Sequence, residues 1–228
     1  DGIDVCNSQD VTIRDCFVRA FDDAIVLKGL KWGQDSFDDR PVRNVRVSGC
    51  TIWCDWGRAM ELGAETCAPE FTDVVFEDCD IVRTTHIAMD IQHGDRALIQ
   101  NVRFEDIRVE MEPPNPYPVY QQSAEAQYAP PNDGNYLPAL FVIIIQGTAY
   151  SQDKERGSVR NVLLRNISVT APRMPASSLQ GFDAEHNVDG VTFEGLRLNG
   201  KPLTSAAEAQ IGIGAHVSDV RFETGRGG

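Results

Sequence analysis

The sequence predicts an all-β chain, a single-stranded right-handed parallel β-helix of about seven coils. Three observations predict it. One phrase returns down the chain, apolar and polar residues alternate within it, and a second short strand returns in each interval without a helical segment between. The phrase reads DVTIRDCFV from Asp10, NVRVSGCTI from Asn44, DVVFEDCDI from Asp73, NVRFEDIRV from Asn101, NVLLRNISV from Asn161 and GVTFEGLRL from Gly190. DVRFE from Asp219 opens a last copy. Its leading valines, Val11, Val45, Val74, Val102, Val162, Val191 and Val220, are spaced 34, 29, 28, 60, 29 and 29 residues apart. The interval of 60 reads as one skipped rung plus an insertion of roughly one repeat length. Strands that return without helices cannot form a βαβ sheet, and antiparallel hairpins would not hold a constant phase. Each coil can only stack on its neighbour, ~4.8 Å away, and right-handed coiling is the favoured hand.

In chain order, the opening DGIDV, with Asp1 as its first residue, is a strand of the second kind. It returns as DAIVL from Asp23, RAMEL from Arg58, IAMDI from Ile87 and QGFDA from Gln180. The third position is Ile3, Ile25, Met60, Met89 and Phe182, apolar throughout, and is assigned to the core. The second position (Gly2, Ala24, Ala59, Ala88, Gly181) and the fourth (Asp4, Val26, Glu61, Asp90, Asp183) are therefore assigned to the outer face. The expected surface is a smooth floor of small residues flanked by acidic rows, with room for a sugar chain lying along the strands. Segment 110–138 is the insertion. It holds four of the five tyrosines, Tyr117, Tyr120, Tyr128 and Tyr136, and reads as a wall of the cleft. Lys31 and Trp32, in the shorter 29–41 loop, form the opposite wall. The whole of 1–228 reads as one domain. Residue 1 already lies inside a motif, so upstream sequence, including a cap for the first coil, is expected to be missing, and localisation stays open.

Composition narrows the partners. The net charge of −13 argues against nucleic acid and anionic membranes. No run approaches the ~18 apolar residues of a spanning helix. The six cysteines lack zinc spacing, and Cys16, Cys50 and Cys79 fall at one inward phase with Ile107, Ile167 and Leu196. They are expected to pack as small hydrophobes.

The chemistry lies in carboxylates. Asp22 and Asp23 follow Asp1 by 21 and 22 residues, close to one coil, which makes them neighbours on adjacent coils. Clustered carboxylates raise one another's pKa, so one stays protonated as a general acid while others act as bases. That is the machinery of glycoside hydrolysis, which needs no cofactor. A calcium site is the main alternative for such a cluster.

With these residues the chain resembles the polygalacturonase-like enzymes, glycoside hydrolase family 28, of the pectin-lyase-like superfamily. The motifs of that family run NTDG, DD, GHG and RIK on successive coils of a right-handed parallel β-helix. Asp1-Gly2 matches the end of the first motif and Asp22-Asp23 the second. The resemblance implies an inverting hydrolase, with Asp22 as general acid and Asp1 and Asp23 activating water, in a geometry with carboxyls ~6.5–9.5 Å apart. Where GHG is expected the chain has Gly57-Arg58-Ala59, and where RIK is expected it has Ala88-Met89-Asp90. The cations that hold a galacturonate carboxylate are therefore missing, and the expected substrate is an oligo- or polysaccharide other than plain polygalacturonate. Arg58 would orient the acid pair or the leaving group, and Glu61 and Asp90 would bond sugar hydroxyls. Asp4, Lys28, Trp32, Tyr120 and His93, at the rim, complete the expected substrate-binding set. Two rivals remain: a calcium-dependent polysaccharide lyase or transglycosylase on the same fold, and a non-catalytic carbohydrate-binding β-helix.

Overall fold

The computed structural model describes residues 1–31, 40–111 and 136–225. Among them the chain is all strand and turn, without a helix, in two sheets of seven and twelve strands. The seven-stranded sheet takes one strand from each pass of the chain. Its order is Ile3–Cys6, Ile25–Gly29, Arg58–Thr66, Ile87–His93, Ala139–Ile145, Ser177–Gln180 and Ile211–Ile213. Every pair in it is parallel. Between these strands the chain returns through the larger sheet. There the valine column is in register, Val11 against Val45, then Val74, Val102, Val162, Val191 and Val220.

Val102 pairs directly with Val162, so no rung is skipped in the 60-residue interval. The surplus is carried instead by the two connections flanking Ala139–Ile145, at 111–138 and 146–157. The strand of the following pass is also differently phased from the expectation. It is Ser177–Gln180, with Leu179 beside Ile143. Phe182 lies beyond its end and is 50% exposed, and Asp183 closes a turn onto His186. The apolar triplet Leu-Phe-Val at 140–142 fills the column where Phe182 had been expected, with Phe141 beside Met89.

The phrase owes its shape to the backbone at its ends. Asp10, Asn44, Asp73, Asn101, Asn161, Gly190 and Asp219 all have positive φ, as do Asp15, Gly49, Asp78, Asp106, Asn166 and Gly195 five residues on. Only Gly, Asn and Asp enter this left-handed region readily, so the two bends of each pass select these residue types. The amides then bond between passes. Asn44 Nδ2 donates to Asp10 Oδ1 (2.6 Å), Asn101 Nδ2 to Asp73 Oδ1 (3.4 Å) and Asn161 Nδ2 to Asn101 Oδ1 (2.7 Å). Asn101→Ala keeps the left-handed backbone but loses both bonds. A destabilisation of about 2 kcal/mol is expected from strain of ~1–2 and bonds of ~1 kcal/mol. Asn101→Gly should relieve the strain and lose less; urea unfolding that ranked Gly below Ala would contradict this account.

Between the bends, residues two, four and seven of each phrase enter one core, as in Val74, Phe76 and Cys79 or Val102, Phe104 and Ile107. Phe76 stacks on Phe104 with ring centroids 5.1 Å apart, and Phe193 on Phe222 at 5.0 Å. Phe141 crosses from the other sheet and meets Phe104 and Phe193 edge to face. All six cysteines are free thiols. Burial pushes Cys54, Cys67 and Cys79 up to about 12, so they stay protonated and pack as small hydrophobes.

The outer face differs from the expected open floor. Ala24, Ala59 and Ala88 are fully buried members of the core, and burial runs unbroken over these positions instead of alternating. The fourth column, Val26, Glu61 and Asp90, does lie outside the core cluster, yet it is covered rather than open.

Candidate active site

The starts of three adjacent strands are tied in series, and this brings distant residues together. The Gly2 N–H donates to the Asp23 carbonyl (2.8 Å), and the Ala24 N–H to the Arg58 carbonyl (2.8 Å). Asp1, Asp23 and Arg58 therefore sit side by side at the head of the sheet. One carboxylate oxygen from each of Asp1, Asp22 and Asp23 lies within 4.8 Å of the other two. Asp22 Oδ1 accepts the Asp23 N–H (3.1 Å), and Asp23 Oδ1 accepts the Arg58 N–H (2.8 Å). Gly57 makes room for the pair. A Cβ there would sit 2.5 Å from Asp23 Oδ1 and 2.6 Å from Asp22 Oδ1, so no other residue fits.

Charge is unevenly compensated. Lys28 Nζ binds Asp1 Oδ2 and lies 3.8 Å from Asp4 Oδ2. Arg58 reaches Asp90 Oδ2 (3.3 Å), Asp23 Oδ1 (3.8 Å) and Glu61 Oε1 (3.9 Å). One guanidinium thus faces three carboxyl groups. Glu61 and Asp90 are register neighbours, 1% and 0% exposed, and each has one carboxyl oxygen without a hydrogen-bond partner. Burial raises the Glu61 carboxyl well above its usual range, with the Asp23 charge adding to it. Burial raises Asp90 to about 7; Arg58 pulls it down and Asp23 pushes it up. Asp22 is raised too, by burial first and then by the charge of Asp23.

These groups line a small pocket of ≈ 100 Å³ formed by Asp1, Asp22, Asp23, Lys28, Arg58 and Glu61, with Trp56, Ala64, Glu65, Gln92 and Tyr150 around them. A wider groove of ≈ 510 Å³ follows the Asn44–Asn101–Asn161 ladder. Its amides already donate to Asp10, Asp73 and Asn101, and no buried titratable group opens into it.

The residues expected at the site divide by placement. Asp1, Asp22, Asp23, Arg58, Lys28 and Glu61 converge on the pocket. Asp4 stands at its edge, where its carboxylate faces Lys28. Asp90 is fully buried beneath Arg58 and cannot reach a hydroxyl of a ligand; Glu61 is nearly so. His93 is not at a rim. Its ring is fully buried, with Nδ1 2.7 Å from Thr66 Oγ1 and Nε2 2.7 Å from the Ala97 carbonyl. Beside it the 148–153 turn is anchored on Gly94 and Asp95, where the Ser151 hydroxyl donates to the Gly94 carbonyl and the Gln152 N–H to Asp95 Oδ1. Trp32 and Tyr120, with Tyr117 and Tyr128, lie outside the described residues. Tyr136 is described, and its hydroxyl donates to the Thr85 carbonyl (2.8 Å).

Trp56, Tyr150, Gln92, Glu65 and His86 were not expected. Burial, then the neighbouring Arg58 charge, lowers His86 to about 4, which leaves a neutral imidazole close to the acid cluster. Tyr150 is the one tyrosine outside the insertion, and of the described tyrosines it is the one that lines the pocket. Trp56 could have been noticed from its place two residues before Arg58, and His86 from its place directly before Ile87, in the column of Asp22 and Gly57; the others carry no local signal. The acid trio could also chelate a divalent cation, but the Lys28 and Arg58 cations already face Asp1 and Asp23 and would compete with it. Neither a scan of protein-family models nor a search of curated proteins finds a match to the chain.

Proposed function

We propose that the chain is a glycoside hydrolase of the polygalacturonase-like class, built as a right-handed parallel β-helix of about seven coils, that cleaves an uncharged oligo- or polysaccharide. The observation that carries this proposal is the convergence of Asp1, Asp22 and Asp23 on one pocket, with one oxygen of each within 4.8 Å of the others. Asp22, whose carboxyl is raised by burial and by Asp23, serves as the general acid to the leaving oxygen. Asp1 and Asp23 serve as the bases that activate water. Arg58 holds Asp23 through its backbone N–H and its guanidinium, and Lys28 holds Asp1. Both cations are committed to protein carboxylates, which speaks against a uronate as the bound sugar.

Inversion follows from the family resemblance. A second reading, retention through a glycosyl ester on Asp1 or Asp23, is prompted by the close approach of the acids, whose nearest oxygens lie within 4.8 Å of one another. The test is to incubate the protein with neutral oligosaccharides and oligogalacturonate and to follow the first-formed anomer by NMR. Hydrolysis of a neutral oligosaccharide is expected, and the anomer separates the two readings. An unsaturated, ultraviolet-absorbing product that disappears with chelator would establish the lyase in its place.

A further inference from the structure

Two aromatic rings stand together beside this pocket, Trp56 in its lining and Phe21 stacked on Trp56. Phe21 directly precedes Asp22, and Trp56 directly precedes Gly57, the residue whose missing Cβ admits the acid pair. Their ring planes are parallel (0°), with centroids 5.9 Å apart. Phe21 is 64% exposed, and Trp56 lines the pocket together with the three aspartates. Tyr150, 65% exposed, lines it as well. Over Trp53, three residues before Trp56, lie the guanidiniums of Arg19 and Arg83, at 5.2 and 5.5 Å from the ring.

We infer that Phe21 and Trp56 form a stacking subsite for one neutral pyranose ring, next to the ring whose glycosidic bond lies over Asp22. This rests on the hydrolase proposal above and names the part of the substrate that holds it in register. A pyranose offers an apolar C–H face and a hydroxylated rim. In the stacked pair the exposed Phe21 ring, backed by Trp56, offers an apolar face for the first, and the carboxylates beside them accept hydrogen bonds from the second. Nucleobases and uronates also stack or fit, but each brings an anionic phosphate or carboxylate. Among the described pocket residues Asp1, Asp22, Asp23, Glu61 and Glu65 face two cations, Lys28 and Arg58, both already paired with protein carboxylates. A neutral ring avoids that repulsion.

The test uses the full chain carrying Asp22→Asn, so that substrate is bound and not consumed. Galacto-, gluco-, manno- and rhamno-configured tetraoses, and tetragalacturonate, are titrated with saturation-transfer NMR and intrinsic fluorescence as readouts. At least one neutral tetraose is expected to bind. Adding Phe21→Ala or Trp56→Ala should weaken it at least tenfold, Trp56→Phe should retain most of the affinity, and Phe17→Ala, which removes a ring 66% exposed outside the pocket, should change nothing. Phe21 is an exposed side chain, so its variant tests the subsite even if Trp56→Ala disturbs Gly57. Equal affinity in the Phe21 variant, preference for tetragalacturonate, or no neutral tetraose bound would each overturn the subsite. Binding that depends on both rings, with no cleavage by the unsubstituted chain, would leave the subsite standing and remove the hydrolase proposal instead.

Discussion

Arg58→Ala is expected to destabilise the protein by about 3–5 kcal/mol at pH 8, the range for removing one partner of a buried ion pair, and by much less at pH 5. The guanidinium is the cation facing Asp23, Glu61 and Asp90, and the last two are adjacent in the sheet and almost inaccessible to water. The pH dependence follows from which state holds the proton. Asp90 titrates near 7 in the folded protein, against ~3.9 in an unfolded chain. Between those values the folded state binds the extra proton, so the stability contributed by that proton is complete at low pH and is lost as pH rises toward 7. The raised Glu61 acts in the same direction. Without Arg58 the main influence that lowers both groups is gone, leaving the Ile91 backbone hydrogen bond on Asp90; the window extends upward, and the loss relative to wild type grows with pH. Arg58→Lys should recover only part, since one ammonium cannot span three carboxyls as a planar guanidinium does. Adding Asp90→Asn to Arg58→Ala should recover stability at pH 8, because a buried amide carries no charge. Urea unfolding at the two pH values decides it: an equal loss at both would show that Arg58 contributes packing and not charge.

That cluster also marks where the sequence stopped being informative. Local chemistry wrote the strands. Asp, Asn or Gly at both ends of each phrase follows from left-handed bends, and the valine column follows from register, so both were readable without a structure. The same alternation placed Glu61 and Asp90 on the side away from Met60 and Met89, and Val26, in register with Glu61, lies outside the apolar core cluster although it is fully buried. Which side a residue faces is local; what covers it is not. Asp90 is buried because Arg58, contributed by the preceding strand, lies on it. His93 is buried among Thr66, Ala97 and the residues near the 148–153 turn, all set by stacking. Phe182 misled for a related reason. Gln180-Gly181-Phe182-Asp183 imitates the strand pattern, but Ser177–Gln180 had already taken the register beside Ala139–Ile145. Asp1 and the Asp22-Asp23 pair could be brought together from sequence because both stand at the start of a second-kind strand on successive passes of the chain. Tyr150 could not, since it stands at no repeated position; His86 stands before Ile87 as Asp22 stands before Asp23, and that column could have pointed to it.

Asp22→Asn carries the largest expected effect on activity, a loss of about 10²- to 10⁴-fold in kcat/KM on an oligosaccharide, the range for general acid catalysis. Folding should be untouched. The side chain is partly exposed, and an amide oxygen can still accept the Asp23 N–H that Asp22 Oδ1 accepts at 3.1 Å. The leaving group then assigns the role. A sugar alkoxide must be protonated as the bond breaks, whereas a dinitrophenolate need not be. On a dinitrophenyl glycoside of the same sugar, Asp22→Asn should therefore lose less than about tenfold. Asp1→Asn should lose on both substrates, because water or nucleophile activation is needed whatever departs. Asp23→Asn is a poorer comparison, since Asp23 Oδ1 also accepts the Arg58 N–H and faces the guanidinium. The pH profile supplies a further check. Burial and the Asp23 charge hold the proton on Asp22 to higher pH than an ordinary aspartate, so the alkaline limb of kcat/KM should report this group. The limb should vanish in Asp22→Asn acting on the oligosaccharide. A dinitrophenyl glycoside that suffered as much as the oligosaccharide would move the acid role away from Asp22 and make it a base, leaving Asp1 or Asp23 to protonate the leaving oxygen.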